Sequence, residues 1–202
     1  MRTFTFLLAA AAVVPCAYAE GSDDAGWYAG LSYERLQETD GPYEFQVLGV
    51  TGGYDFNRYF GAEITAATGV DGDGTFYPSS TFEANGVTVT SPSYRTSIDL
   101  AHRIDLMGVG HLPLTDRISL VGKAGVSHYR YDFEQETGPT PDRPNPIGNS
   151  DSPSGYGFAG SIGAEVALTE STSLTGGYNY YAEQGRSDGD VDGFQIGVKH
   201  RF

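Results

Sequence analysis

Apolar and polar residues alternate with a period of two through most of this chain, most plainly over its last nine residues. Phe194, Ile196, Val198, His200 and Phe202 share one parity, and Gln195, Gly197, Lys199 and Arg201 share the other. That period marks a β-strand with one apolar and one polar face. Seven earlier stretches alternate in the same way: Trp27 to Glu34, Phe45 to Phe56, Tyr59 to Gly69, Tyr94 to Leu114, Ile118 to Asp132, Gly155 to Thr169 and Thr172 to Ala182. The fourth is the clearest. It sets Ile98, Leu100, His102, Ile104, Leu106 and Leu112 against Asp99, Arg103, Asp105 and His111.

The connections alternate too. Tight turns are expected near Asn57, Asp116 and Glu170, and long polar loops near Gln37 to Pro42, Val70 to Ser93, Phe133 to Pro153 and Glu183 to Asp190. Short turns at one end, long loops at the other and an even strand number describe a barrel that spans a membrane on strands. Several stretches also exceed the usual strand length, as tilted membrane strands do. Aromatic residues recur at strand ends (Tyr54, Phe56, Phe60, Tyr156, Phe158, Tyr178, Tyr180 and Phe202), which suits girdles at two interfaces. The expected fold is therefore all-β: an eight-stranded antiparallel up-and-down transmembrane β-barrel. A soluble lipocalin-like barrel is the alternative. It would turn the apolar parity inward and has no reason for the asymmetry of turn lengths.

Composition adds the compartment. Arg2, the apolar run Phe4 to Val14 and Ala17-Tyr18-Ala19 before Glu20 read as a signal peptide over residues 1–19, leaving residues 20–202 as the barrel domain. The run is too short to span a bilayer. The single cysteine, Cys16, lies inside it, and Pro15 before it suits lipoprotein processing poorly. A net charge of −14 without a basic stripe argues against nucleic acid as a partner.

With those residues in view, the chain resembles the OmpA-like and opacity-like family of small outer-membrane β-barrels. The resemblance rests on Gly26-Trp27-Tyr28-Ala29-Gly30, on Gly177-Tyr178-Asn179-Tyr180-Tyr181 and on Val191-Asp192-Gly193-Phe194 before the terminal phenylalanine. It implies that the long loops face outward from a Gram-negative cell, and that Phe194, Ile196, Val198 and Phe202 form the signal read by the barrel-assembly machinery. It also implies outer-membrane lipid and lipopolysaccharide as surroundings and a monomer. The peptidoglycan-binding domain of longer OmpA proteins is not expected.

An eight-stranded barrel has a lumen just wide enough to be filled by side chains. The inward parity carries Glu34, Glu63, Asp99, Arg103, Asp105, Lys123, Glu165, Lys199 and Arg201. Buried charges must be paired or they cost several kcal/mol each, so a plug of lumenal ion pairs is expected, with a narrow pore as the alternative. No cofactor or metal is implied. Asp188-Gly189-Asp190-Val191-Asp192-Gly193 opens like a calcium-binding loop, but Lys199 stands where the closing bidentate Glu belongs. No catalytic centre is expected either. Ser127 and His128 are adjacent and so point to opposite faces of a strand, and His102 and His200 share the outward parity. What remains is an envelope or surface-contact role through external loops, or an adhesin working through the same loops. Phe76, Tyr77 and Phe82 are candidate contacts, and Val87-Thr88-Val89-Thr90 suggests a hairpin above the membrane.

Overall fold

The computed structural model describes residues 25–39, 43–71, 73–139, 147–182 and 189–202. The expected signal peptide with Cys16, and Asp188 of the calcium-like stretch, lie outside the described residues. Eight long strands form the wall: β1 (Gly26–Glu38), β2 (Glu44–Asp55), β3 (Phe60–Asp71), β7 (Tyr94–Pro113), β8 (Ile118–Thr137), β10 (Ser154–Ala167), β11 (Thr172–Tyr181) and β12 (Val191–Arg201). Four short strands belong to the long-loop end: β4 (Asp73–Tyr77), β5 (Ser80–Ala84), β6 (Val87–Ser91) and β9 (Ile147–Asp151). All pairings are antiparallel. The sheet closes where β12 meets β1, from Tyr28 opposite Arg201 to Glu38 opposite Val191. Closure leaves the wall without an edge through the apolar band, the condition for crossing hydrocarbon on strands.

The three tight turns share one construction. A side-chain oxygen accepts from the two backbone amides that open the next strand: Asn57 Oδ1 from Tyr59 and Phe60 (2.8 and 3.0 Å), Thr115 Oγ1 from Arg117 and Ile118 (3.2 and 3.0 Å), Thr169 Oγ1 from Ser171 and Thr172 (3.3 and 3.0 Å). Asn and Thr serve because their short polar side chains can mimic a backbone turn.

The outer face is apolar between two aromatic rows. Trp27, Tyr54, Phe56, Phe60 and Phe202 lie at the short-turn end, and Tyr33, Tyr156, Tyr178 and Phe194 nearer the long loops. Leu31, Val50, Ile64, Leu106, Val126, Ile162 and Ile196 are exposed between them. The apolar parity thus faces outward here, which rules out the lipocalin-like arrangement.

Above the upper row the pattern inverts. Leu36, Phe45, Val47, Ile98, Leu100, Tyr129, Tyr131 and Val191 are buried inside the barrel, while Arg35 and Glu44 pair on the outside at 2.6 Å. The wall beyond the membrane follows the rule of a soluble sheet. The switch corrects one part of the sequence reading. A β-bulge between Leu100 and His102 inserts Ala101, and an inserted residue reverses which face later side chains take. Asp99 was expected inside and is instead exposed on the outer wall, whereas Ile98 and Leu100, expected outside, are buried within.

On β8 the wall also rises further than the sequence suggests, to Thr137 rather than Asp132, while β7 keeps its expected extent. The stretches expected as loops hold β4 against β7, β9 against β8, and the separate β5–β6 hairpin. That hairpin turns at Asn85 and Gly86, both with positive φ (52° and 75°), the combination a tight two-residue hairpin turn requires. Because β5 and β6 pair only with each other among the described residues, replacing residues 80–91 with a short Gly-Ser link should leave the barrel intact. The expected result is an unchanged heat-modifiable shift on unboiled gels and a thermal midpoint within about 2 °C of the parent. Loss of the shift would show that the hairpin supports the wall.

Candidate functional site: the charged lumen and its outer wall

The lumen is organised in three charged tiers. At the top, Arg103 is almost wholly buried and its Nη2 donates to both oxygens of Glu34 at 2.9 and 3.0 Å, while its Nε reaches Asp105 at 3.0 Å. Ser127 Oγ donates to Asp105 at 2.5 Å and the Tyr181 hydroxyl to Glu34 at 3.2 Å. The guanidinium carbon lies 4.1 Å from the centroid of the Tyr181 ring, a cation–π contact, and Nη1 finds no acceptor. In the middle, Lys123 Nζ reaches Glu63 at 2.7 Å and the Tyr28 hydroxyl donates to the same carboxylate at 3.0 Å. Gly53 leaves room for the Tyr28 ring, which a Cβ there would strike.

The lowest tier gathers around Asp55. Arg201 Nη2 donates to Asp55 Oδ2 at 2.5 Å. Lys199 lies 3.6 Å from that oxygen, 3.0 Å from Glu165 and 4.2 Å from the centroid of the Tyr28 ring. His111 Nε2 comes within 3.3 Å of Asp55 Oδ1, but without the alignment of a hydrogen bond, so both atoms stay unpartnered.

Eight of the nine residues assigned to the lumen from sequence meet there: Glu34, Glu63, Arg103, Asp105, Lys123, Glu165, Lys199 and Arg201. Asp99 does not. Sequence reasoning passed over Asp55, although its parity on β2 pointed inward, together with the hydroxyl partners Tyr28, Ser127 and Tyr181. Asp55 replaces Asp99, so the membrane-level lumen still holds five carboxylates and four fixed cations among the described residues. Free space inside is divided. Voids of about 20 and 40 Å³ lie between the tiers, and a vestibule of about 320 Å³ opens at the short-turn end beside His111, Glu165 and Arg201.

Other sequence candidates fall outside the lumen. Phe194, Ile196, Val198 and Phe202 are exposed on the outer face. Two acids of the calcium-like stretch are taken by tyrosines of β11, Asp190 by the Tyr180 hydroxyl at 2.5 Å and Asp192 by that of Tyr178. Asp192 also accepts from Thr39 Oγ1 at 2.8 Å. Ser127 points inward and His128 outward, so they form no dyad.

The family model for the outer membrane protein beta-barrel domain matches residues 4–202. The chain belongs to that family. It is an integral outer-membrane protein of a Gram-negative bacterium. Among solved structures, Neisserial surface protein A superposes with a TM-score of 0.55 at 15% identity, covering 91% of this chain and 100% of that one. Ail, the attachment invasion locus protein of Yersinia pestis, gives 0.51 at 16% identity, covering 89% and 98%. No protein of curated function matches the sequence.

Above the bulge, outside the bilayer, partial burial and the neighbouring carboxylates of Asp132 and Asp71 hold the Asp99 carboxyl above its usual pKa range. An acid whose pKa is raised by folding is destabilising while ionised, and the penalty disappears as pH falls below its unfolded value. Asp99→Asn should therefore raise the thermal midpoint by ~1–2 °C at neutral pH, with the gain vanishing in acid. Equal midpoints at all pH values would refute the strain.

Arg103 carries a larger expectation. Arg103→Met leaves Glu34 and Asp105 buried without their cation, a loss of about 3–5 kcal/mol. Glu34→Gln added to Arg103→Met should recover part of it. Urea unfolding in lipid vesicles measures both, and a cost below about 1 kcal/mol for Arg103→Met would mean that water reaches the tier.

Proposed function

We infer that this barrel is closed, non-catalytic and plugged by its lumenal ion pairs, and that it acts through its external end in envelope structure and surface contact. The observation that carries the reading is the upper tier. Glu34, Arg103 and Asp105 join β1 to β7 across the barrel, and the apolar layer of Leu36, Phe45, Leu100 and Tyr131 roofs them. Voids of 20 and 40 Å³ hold a few waters at most. The opposite orientation of Ser127 and His128 supports the non-catalytic part, and unchanged lipid A acylation on overexpression is its check.

A second reading, that of an adhesin, is favoured by the aromatic side chains raised above the membrane. Phe76 and Phe82 are exposed, and Tyr77 stacks on Tyr94 with centroids 4.3 Å apart. The related Ail has been crystallised with the heparin analogue sucrose octasulfate. The exterior of the present barrel is acidic at Asp99, Asp132, Glu134 and Glu136, so a sulfated polyanion suits it poorly and an uncharged or basic surface suits it better. Biogenesis through the barrel-assembly machinery, with Phe194, Ile196, Val198 and Phe202 as the docking row, and a monomeric state belong to the same proposal.

Purified protein in planar bilayers should show no stepwise conductance. Steps in the wild type would replace the plug with a pore. Deleting residues 80–91 should abolish cell attachment if the adhesin reading holds, and attachment that survives the deletion would remove it.

A further inference from the structure

One cluster on the outer wall has no part in the barrel's own architecture. His102 on β7, His128 and Arg130 on β8, and Tyr156 on β10 all face outward at the external edge of the apolar band. His102 lies directly across from Arg130, and His128 across from Tyr156. The two imidazole centroids are 5.8 Å apart, and the His128 ring is 4.6 Å from that of Tyr156. Among the described residues, neither imidazole nor the Arg130 guanidinium has a hydrogen bond or ion pair. The other arginines near this depth are paired, Arg35 with Glu44 and Arg103 with Glu34 and Asp105.

The bulge at Ala101 builds this cluster. Thr96, Ile98 and Leu100 face inward, and an uninterrupted strand would carry His102 inward below them. The inserted residue turns His102 out beside Arg130 instead, one of the uses to which bulges are put. Immediately below stand Leu106, Val126 and Phe158, which face hydrocarbon. Immediately above stand Asp99 and Asp132.

Charge selects the class of ligand. Two imidazoles at this spacing would suit a transition-metal ion, but the adjacent guanidinium opposes any cation, and no metal-holding cluster of three or more His, Cys, Asp or Glu occurs among the described residues. A planar guanidinium fork flanked by imidazole N–H and phenol O–H donors instead fits a phosphate. The acids above repel soluble polyanions, so the phosphate must come from within the membrane plane. We propose that His102, His128, Arg130 and Tyr156 form a binding site for the phosphate of an outer-leaflet glycolipid, with its acyl chains lying along the Leu106, Val126 and Phe158 face. The site deepens the surface-contact reading, on which it rests.

The full chain in lipid-free detergent micelles is titrated with bisphosphorylated lipid A and with chemically dephosphorylated lipid A. Retention is read by native mass spectrometry, and the His102 and His128 ring signals by NMR. The phosphorylated lipid should be held at least about tenfold more tightly and should move both ring signals. Arg130→Gln and His102→Gln/His128→Gln should lose that preference while keeping the heat-modifiable gel shift. Equal retention of the two lipids, or a preference unchanged in Arg130→Gln, overturns the site. Inorganic phosphate moving the same signals at the same concentration overturns the lipid as its source. Zn²⁺ moving them where lipid A does not replaces the site with a metal site. None of these outcomes bears on planar-bilayer conductance, so failure here is separable from failure of the closed-barrel reading.

Discussion

A peptide group in hydrocarbon has no water to bond, so the backbone must satisfy itself completely, and this requirement shapes everything else in the molecule. Strands can meet it only by closing, and the β12–β1 pairing completes the circle. Closure at eight strands fixes the lumen at the width of a few side chains. Period-two alternation then sends every second residue into that space. The outer parity solves its own problem by being apolar. The inner parity must pack and pair in a confined column, and charged side chains there find partners across the barrel as well as along a strand. Arg103 reaches Glu34 from the far wall, Lys123 reaches Glu63 and Arg201 reaches Asp55.

The sign of the lumen follows from the same confinement. The chain as a whole is strongly acidic, yet the membrane-level lumen is nearly balanced among the described residues, because an unpaired charge there lacks the water that external carboxylates enjoy. The lowest tier is looser. Asp55 and His111 approach without aligning, and the vestibule opens at this end. Tightness therefore increases upward, toward the apolar roof.

Where the sequence was legible, one physical rule was acting over the whole strand. Alternation located all eight wall strands, and Asn57, Asp116 and Glu170 marked the tight turns, because lipid on one side and a polar column on the other leave a strong period-two signal. That rule stops at the membrane boundary. Above it the solvent changes from lipid to water, the apolar face must turn inward, and the Ala101 bulge performs the reversal on β7. A single inserted residue leaves no compositional trace, so Ile98, Asp99 and Leu100 were read with the wrong sign. On β1 and β2 the reversal needs no bulge. The residues themselves change, from outward Leu31 and Tyr33 to outward Arg35, and from inward Ser32 and Glu34 to inward Leu36. Asp55 was missed for a different reason. At a strand end beside a turn, an aspartate looks like an ordinary turn residue, and only register shows that Arg201 and Lys199 converge on it.

The outer-wall cluster was hidden by register alone. His102 was legible as an outward residue at an interface, and His128 as one unable to use Ser127. Nothing in the linear chain brings either to Arg130's neighbour across the ladder, or separates that arginine from the paired ones. The bulge links the lumen to the outer wall. The inserted residue that lets Leu100 cover the Arg103 tier from above also places His102 outside, where hydrocarbon gives way to charge. An apolar roof over the Arg103 tier and a cationic spot on the wall are thus two faces of one backbone irregularity. Removing Ala101 would disturb both together, whereas substituting Arg130 touches only the wall.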